Sequence, residues 1–198
     1  MKKLLVTGFE PFLDNPINPT AEIAEKLNDT VINDYAIIGK VLPVVFSESG
    51  EQLVKLLEAH QPDALISLGL AAGRNCVTPE RIAINCNDGP KDNRGNEPNG
   101  ERIVPDGPDG YFSTLPIQKM VSCMEKEGLP AVISNSAGTY LCNHVMYQGL
   151  HYFKVHKLER PSGFIHLPAS HALAIRKKMP SWSADDLCHA VKIAIACL

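Results

Sequence analysis

The chain has 198 residues, of which 44% are hydrophobic and 21% are charged, and its formal net charge is -3 at pH 7. This length suits one folded unit with a sizeable core, so we expect residues 1–198 to form a single domain. The balanced charge, without a basic patch or tail, argues against a nucleic acid or an anionic membrane surface as the partner.

The first residues of the chain bear on its compartment. Their apolar run covers only residues 4–6, and Glu10 follows soon after, which is too short for a secretion signal. No apolar stretch approaches the roughly 18 residues that a membrane-spanning helix needs. We therefore expect a cytoplasmic protein, in which the six cysteines are reduced thiols. None of them is spaced Cys-x-x-Cys, so a structural zinc site is not expected.

Apolar runs alternate along the chain with segments of helical periodicity. The predicted strands are, in chain order, residues 2–7, 35–44, 64–68, 81–86, 131–134 and 163–167. The predicted helices are residues 19–27, 47–60, 117–126, 139–154 and 184–198. The first helix has the clearest start, because Asn18 suits an N-cap and Pro19 suits the first helical position. The alternation predicts an α/β fold with a mostly parallel twisted sheet and helices on both faces.

Sheets of this kind place their ligand sites beyond the carboxyl ends of the strands. The segments that follow apolar runs are therefore the candidates for chemistry, namely residues 8–12, 69–80, 135–142 and 166–168. One further segment, residues 87–110, is rich in glycine and proline and too long for an ordinary connection. We expect it to be a functional lid or an interface arm.

Cys142 follows the turn-forming stretch Ser134-Asn-Ser-Ala-Gly-Thr-Tyr-Leu, where a helix is predicted to start. The aligned N–H groups of a first helical turn favour a thiolate and lower the pKa of a thiol, which would make Cys142 a nucleophile. A buried structural cysteine fits the same position. The residues alone leave both interpretations open.

A thiol nucleophile needs a base, most often a histidine, and the chain has seven histidines. His166 follows the run Gly163-Phe-Ile, so it is predicted to lie at the carboxyl end of a strand. His144 comes two residues after Cys142, which turns it to a different side of the predicted helix. His166 is therefore the candidate base, and a satisfied core histidine is the alternative.

Glu80 lies between a glycine-containing loop and an apolar strand. A carboxylate is costly to bury there without a partner, and a carboxylate beside the base would orient the imidazole and stabilise its charged form. A surface ion pair between Glu80 and Arg81 is the alternative interpretation.

Two aromatic residues, Phe9 and Phe12, lie in the loop after the first predicted strand. Separated by Pro11, they suit an apolar wall for a flat ligand, or they anchor the loop in the core. A phosphate-binding loop is not indicated, since residues 69–73 lack the pattern GxxxxGK[ST] and GxGxxG does not occur.

Four motifs together resemble the pyrrolidone-carboxylate peptidases, also called type I pyroglutamyl peptidases. The motifs cover residues 6–12 with Ile17-Asn-Pro-Thr20, residues 69–85 around Glu80, residues 133–143 around Cys142, and residues 162–168 around His166. They are long and occur in the order of that family, glutamate before cysteine before histidine. The resemblance extends over nearly the whole chain.

The resemblance implies a three-layer α/β/α sandwich that removes an N-terminal 5-oxoproline from peptides. By resemblance, Cys142 is the nucleophile, His166 is the general base and acid, and Glu80 orients His166. No cofactor and no metal are implied. The implied partners are a pyroglutamyl peptide as substrate and further copies of the chain, in a homo-oligomer that is a tetramer by resemblance.

The same resemblance implies how the substrate is held. Phe9 and Phe12 would flank the pyrrolidone ring. Asn18 and the backbone near Leu70 would form hydrogen bonds with its amide edge.

One stretch departs from the pattern of the family. Bacterial relatives tend to carry an arginine shortly after the glutamate strand, whereas residues 87–93 lack it and are one residue shorter. Lys91 and Arg94 are the candidate replacements for that arginine.

Two other functions stay open at this point. A cysteine amidohydrolase for another cyclic or N-blocked acyl group would use the same three residues with an altered pocket. A catalytically silent module that binds a small acid is the other, and the presence of Cys142, His166 and Glu80 together argues against it.

Overall fold

The computed structural model of the chain describes residues 1–175 and 177–198. The strands are β1 Lys2–Phe9, β2 Val31–Ile32, β3 Tyr35–Leu42, β4 Ala64–Leu70, β5 Thr78–Pro79, β6 Ile82–Ile84, β7 Asn87–Asp88, β8 Asn99–Glu101, β9 Gly110–Phe112, β10 Ser162–Leu167, β11 Ala169–Ser170 and β12 Ser181–Trp182. The helices are α1 Pro19–Leu27, α2 Phe46–His60, α3 Ile117–Lys126, α4 Leu141–Val155, α5 His171–Ala174 and α6 Ala184–Ala196.

The main sheet has the strand order β2-β3-β1-β4-β10-β5. Strands β3, β1, β4 and β10 run parallel to one another. The short strands β2 and β5 pair antiparallel with β3 and β10 at the two edges of the sheet. The mostly parallel sheet predicted from the sequence is therefore confirmed.

Helices cover both faces of this sheet. Successive side chains of β1 alternate between two cores, with Leu4 and Val6 on one face and Leu5 on the other. The first core includes apolar residues of α1, α3 and α6, and the second includes residues of α2 and α4. Because the central strands are buried on both faces, they read as continuous apolar runs rather than as alternating ones. The predicted three-layer α/β/α sandwich is confirmed.

Helix α1 lies unusually close to the sheet, and this position builds one side of the site described below. A Cβ atom added at Gly8 would come within 2.1 Å of the carbonyl oxygen of Thr20, so only glycine fits there. The Oγ1 atom of Thr20 accepts a hydrogen bond from the N–H of Phe9 at 3.0 Å. Asn18 caps the helix, because its Oδ1 accepts from the N–H of Thr20. The end of β1 and the start of α1 are thus joined.

Several predicted elements have ends that are shifted by one or two residues, and three differences have a local cause. Residues 131–134 do not form a strand: only single bridges join Val77 to Ala131 and Glu80 to Ser134, because β5 at this edge is itself only two residues long. Within 81–86 only β6 is a strand, and it pairs with β9 outside the main sheet. Helix α4 starts two residues later than predicted, because Gly138 has a φ of 78° and Tyr140 is extended.

Candidate active site

The site lies at the end of the main sheet where the parallel strands finish. Here the carboxyl ends of β4 and β10 meet the start of α4. Gly69 on β4 pairs with His166 on β10 in parallel register. A Cβ atom at Gly69 would lie 2.8 Å from the Sγ of Cys142 and 2.6 Å from the ring of Phe164. Gly69 therefore leaves the space in which the thiol lies, on the strand next to His166.

Glu80 and His166 form the central contact of this site. The Nδ1 of His166 lies 2.7 Å from Oε1 of Glu80. The Glu80 side chain has no exposed surface, and that of His166 is 7% exposed. The alternative prediction, a surface ion pair between Glu80 and Arg81, is wrong, because the Nε of Arg81 donates instead to Oδ1 of Asn135 at 2.7 Å.

The charge states of this pair follow from burial and from its neighbours. Burial would raise the pKa of the Glu80 carboxyl, but the hydrogen bond and charge of His166 and the contact with Arg74 outweigh it and leave the pKa lowered. Burial, joined by the positive charge of Arg74, lowers the pKa of His166 despite the Glu80 carboxylate. An ionised carboxylate only accepts, so Nδ1 carries the proton of the neutral ring and Nε2 keeps the free lone pair that a general base needs.

The thiol of Cys142 differs from the expectation drawn from the sequence. Burial raises its pKa, to about 12, and the negative charge of Glu80 adds to the rise. The Arg74 charge and a backbone hydrogen bond at Cys142 act in the opposite direction but are weaker. The predicted lowering of the pKa by the helix start is therefore wrong for the resting site, because desolvation of the thiolate exceeds the effect of the N–H groups. Thiol and imidazole both rest in their neutral forms.

The other candidate groups lie elsewhere. His144, on the same helix as Cys142, is buried, and its Nδ1 lies 2.9 Å from Oδ1 of Asn87. Burial lowers the pKa of His144 to about 4. All six cysteines are free thiols, and Cys188 and Cys197 are buried.

A cleft opens beside the Cys142 thiol. Its lining residues are Phe9, Phe12, Asn18, Val44, Leu70, Tyr140, Leu141 and Cys142. The four residues that the resemblance assigns to substrate binding, Phe9, Phe12, Asn18 and Leu70, are thus all brought together here. Val44, Tyr140 and Leu141 were missed by the sequence analysis, although Tyr140 and Leu141 directly precede Cys142 in its motif.

Two of these lining residues also have structural roles. Phe9 is 3% exposed and packs against Phe164, with 6.5 Å between ring centroids. Asn18 is 2% exposed, accepts twice from Thr20, and donates through Nδ2 to the carbonyl of Glu10 at 3.1 Å. An amide nitrogen carries two N–H groups, so one donor of Asn18 remains for a ligand.

Residues Lys91, Asp92 and Asn93, which we call the clasp, join three walls of the cleft. Asn93 donates through Nδ2 to Oε1 of Glu10 and to the carbonyl of Pro11, each at 2.9 Å. Its backbone N–H donates to the carbonyl of Val44 at 2.9 Å.

The other two clasp residues, Lys91 and Asp92, bond Tyr140 and the start of α2. The hydroxyl of Tyr140 donates to the carbonyl of Lys91 at 3.2 Å. Asp92 is buried and accepts from the backbone N–H groups of Phe46, Arg94 and Asn96. Burial would raise the pKa of Asp92, but the side-chain hydrogen bond from Asn96 and these backbone bonds outweigh it and leave the pKa lowered. This part of the segment 87–110 therefore borders the cleft.

The proposed replacements for the absent arginine are wrong. Arg94 pairs with Glu48 on α2 at 2.6 Å, and Lys91 contributes its backbone to the clasp. Neither side chain contacts Glu80. The cation beside Glu80 is instead Arg74, whose Nη1 lies 2.8 Å from Oε1 of Glu80. Sequence analysis missed Arg74 because nothing in the spacing shows that its loop folds back over Glu80.

In the part of the chain that the structure describes, no group of three or more His, Cys, Asp or Glu side chains could hold a metal ion. Nor does any described helix combine the length and the apolar composition that crossing a membrane requires.

Comparison with known proteins identifies the group to which the chain belongs. Residues 2–198 match the family model described as pyroglutamyl peptidase. The chain belongs to the pyroglutamyl peptidase family. It is 60% identical over 198 residues to a pyrrolidone-carboxylate peptidase from Oceanobacillus iheyensis, with all of both chains covered. It is 46% identical to the pyrrolidone-carboxylate peptidase of Pyrococcus furiosus, covering 98% of this chain and 96% of the relative.

Solved structures of this peptidase family share the fold. A mutant pyrrolidone carboxyl peptidase from Pyrococcus furiosus superposes with a TM-score of 0.96 at 46% identity, covering 98% of this chain and 97% of that one. The pyrrolidone carboxyl peptidase of Thermococcus litoralis superposes with a TM-score of 0.95 at 38% identity, covering 98% and 92%. The resemblance drawn from the four motifs is therefore confirmed.

The electrostatics of the site predict the titration of His166. NMR titration of the imidazole signals should give His166 a pKa below the ordinary 6.5. The Glu80→Gln substitution should lower it further, because the carboxylate favours the charged ring. The signal of His144, at a pKa of about 4, should stay in place as the matched control. A pKa for His166 at or above 6.5 in the unsubstituted protein, or a rise on substitution, would contradict the charge states derived above.

Proposed function

We propose that the chain is a cysteine exopeptidase that hydrolyses the bond after an N-terminal pyroglutamyl residue of a peptide. In this proposal Cys142 is the nucleophile, His166 is the general base and acid, and Glu80 orients His166. The observation that carries it is the 2.7 Å contact between His166 Nδ1 and Glu80 Oε1 beside a cleft that Cys142 lines. Membership of the peptidase family supports the same assignment.

The cleft fits an uncharged ring. Its walls include Phe9, Phe12 and Leu70, and the lining residues named above carry no carboxylate. A pyroglutamyl group has a lactam in place of a free amine, so it brings no charge into this apolar space. A free N-terminal glutamate or glutamine would bring an ammonium ion, which would lose its water without gaining a counter-charge. The free donor of Asn18 suits the lactam carbonyl, and a carbonyl near Leu70 would accept from the lactam N–H.

The first half of the reaction forms a thioester. The Nε2 atom of His166 takes the proton of the Cys142 thiol as Sγ bonds to the pyroglutamyl carbonyl carbon. The carbonyl oxygen becomes an oxyanion, which the N–H groups at the start of α4 can stabilise, since its N-cap Tyr140 supplies no side-chain acceptor. The C–N bond then breaks, and the departing amine takes the proton from His166.

The second half returns the site to its resting state. His166 removes a proton from water, and the resulting hydroxide attacks the thioester carbonyl. The C–S bond breaks, pyroglutamate leaves, and the Cys142 sulfur recovers its proton from His166. Glu80 stabilises the imidazolium each time it forms and keeps Nδ1 protonated throughout.

We also propose that residues 1–198 act as one peptidase domain in the cytoplasm, as a homotetramer. Free thiols at all six cysteines suit a reducing compartment. Apolar side chains such as Phe112, 68% exposed, and Val155, 53% exposed, suit burial against another copy. Light scattering of the purified protein tests the assembly, and the mass of a single chain, 21.6 kDa, would contradict it.

Release of a chromophore from a pyroglutamyl amide tests the proposed activity. The protein should release it, and Cys142→Ala should abolish the release because no thioester can form. The control is folding, compared by circular dichroism for both proteins. A folded protein that releases nothing, or equal release by Cys142→Ala, would overturn the proposal.

The same assay with glutaminyl and prolyl amides tests the selectivity. Pyroglutamyl amides should be cleaved with the highest kcat/KM, since only they enter the cleft without a charged amine. A preference for another amide would favour an amidohydrolase of different specificity.

The clasp predicts a substitution that weakens binding more than turnover. Asn93→Ala removes the bonds from its side chain to Glu10 and Pro11, which hold the Phe12 loop against Val44. We expect KM to rise about 3- to 10-fold, the equivalent of roughly 1 kcal/mol, with kcat little changed. Asn99→Ala, an exposed site in the same segment, is the matched control and should leave both values unchanged. A fall in kcat at constant KM would show that the clasp acts on the chemistry instead.

A further inference from the structure

Arg74 lies in the loop between β4 and β5, and its guanidinium reaches the buried end of the proposed triad. Its side chain is 33% exposed, and its Nη1 lies 2.8 Å from Oε1 of Glu80. The same oxygen of Glu80 accepts from Nδ1 of His166. One carboxylate oxygen thus joins the permanent cation to the imidazole.

Burial makes the charge of Glu80 depend on the groups around it. The side chain has no exposed surface, and within the described residues its second oxygen, Oε2, has no hydrogen-bond partner. His166 is the largest cause that lowers the pKa of Glu80, and Arg74 adds to it as a permanent cation. A protonated Glu80 would no longer stabilise the imidazolium that the reaction forms.

Arg74 is also attached to the strand that pairs with His166. Its Nη1 donates to Oγ1 of Thr78, and Thr78 on β5 is the register partner of His166 on β10. The guanidinium therefore spans from the edge strand to the carboxylate. The hydrogen bond to Thr78 fixes the direction in which the guanidinium points.

We propose that Arg74 is a positioning residue that keeps the Glu80 carboxylate aimed at His166 and balances its negative charge next to the Cys142 sulfur. The inference rests on the proposed function, because it assigns Arg74 to the same site. Arg74 bonds Glu80 and Thr78 and is not among the residues that line the cleft.

The balance of charge around the sulfur gives the inference a measurable consequence. Among the described residues, Arg74 and Glu80 act on the Cys142 thiol by their charges, and the phenol of Tyr140 is close enough for the thiol to affect its pKa. His166 lies on the neighbouring strand, opposite Gly69, which borders the sulfur. After burial, the Glu80 charge is the next cause that raises the pKa of the thiol, and the Arg74 charge opposes it. Without Arg74, the bond from His166 still lowers the pKa of Glu80, so the carboxylate charge acts unopposed on the sulfur and formation of the thiolate should need a higher pH.

The rate at which iodoacetamide alkylates Cys142, followed by peptide mapping across a pH series, tests this directly. In Arg74→Met the rate near neutral pH should fall about 10-fold, so that a given rate is reached only about one pH unit higher than in the unsubstituted protein. Arg74→Lys keeps the charge but not the planar fork, so it should recover part of the rate. Arg81→Met is the matched control, because Arg81 bonds Asn135 rather than Glu80 and should leave the pH profile unchanged.

The kinetic constants supply a second readout. For a pyroglutamyl amide, Arg74→Met should lower kcat by 10-fold or more with KM nearly constant, since no cleft contact is lost. A pH profile of alkylation equal to that of the unsubstituted protein would overturn the inference, as would a rise in KM alone. If Arg74→Met fails to fold, Arg74→Lys and Arg74→Gln carry the comparison: Gln should show the shifted profile and Lys the partial recovery.

The two readouts separate this inference from the proposed function. Alkylation of Cys142 needs no substrate, so a shifted profile supports the role of Arg74 even if pyroglutamyl amides are not cleaved. Cleavage of those amides with an unshifted profile would leave the peptidase proposal standing and remove Arg74 from the site.

Discussion

A carboxylate buried without access to water, Glu80 at the edge of the main sheet, is the constraint on which the site depends. His166 and Arg74 both bond to one of its oxygens, and both lower the pKa of this carboxyl. That charge in turn selects the tautomer of His166, since an ionised acceptor requires a donor at Nδ1. The free lone pair at Nε2, which lets the ring act as a base, therefore depends on the contact between Nδ1 and Glu80 on the opposite side of the ring.

Burial also sets the resting state of the Cys142 thiol, the proposed nucleophile. It raises the pKa of Cys142 and lowers that of His166, so both groups favour their neutral forms. A start of a helix is often taken to activate a thiol, but here the loss of water around the sulfur has the larger effect. In the proposed reaction, the proton transfer is therefore coupled to attack on the substrate, and no thiolate has to form in the resting site.

Packing against the sheet builds the cleft from segments far apart in the chain. Gly8 and Gly69 allow close approaches, of α1 in the first case and of the Cys142 sulfur in the second. Asn93 then links the loop after β1 to the turn before α2, and the hydroxyl of Tyr140 binds the backbone of Lys91. The walls are thus held by backbone and polar contacts, which leaves the apolar faces free for a ligand.

The sequence by itself determined the alternation of strands and helices, the position of His166 at a strand end and of Cys142 at a helix start, and the family, because buried parallel strands and long local motifs leave signals in the order of residues. It did not determine residues 131–134, whose conformation depends on how short the edge strand β5 is. The partner of Glu80, the raised pKa of the thiol and the clasp were decided only by the tertiary structure. Hydrogen bonds such as that from Asn93 to Glu10 join residues that are 83 positions apart, and desolvation depends on everything packed around a group.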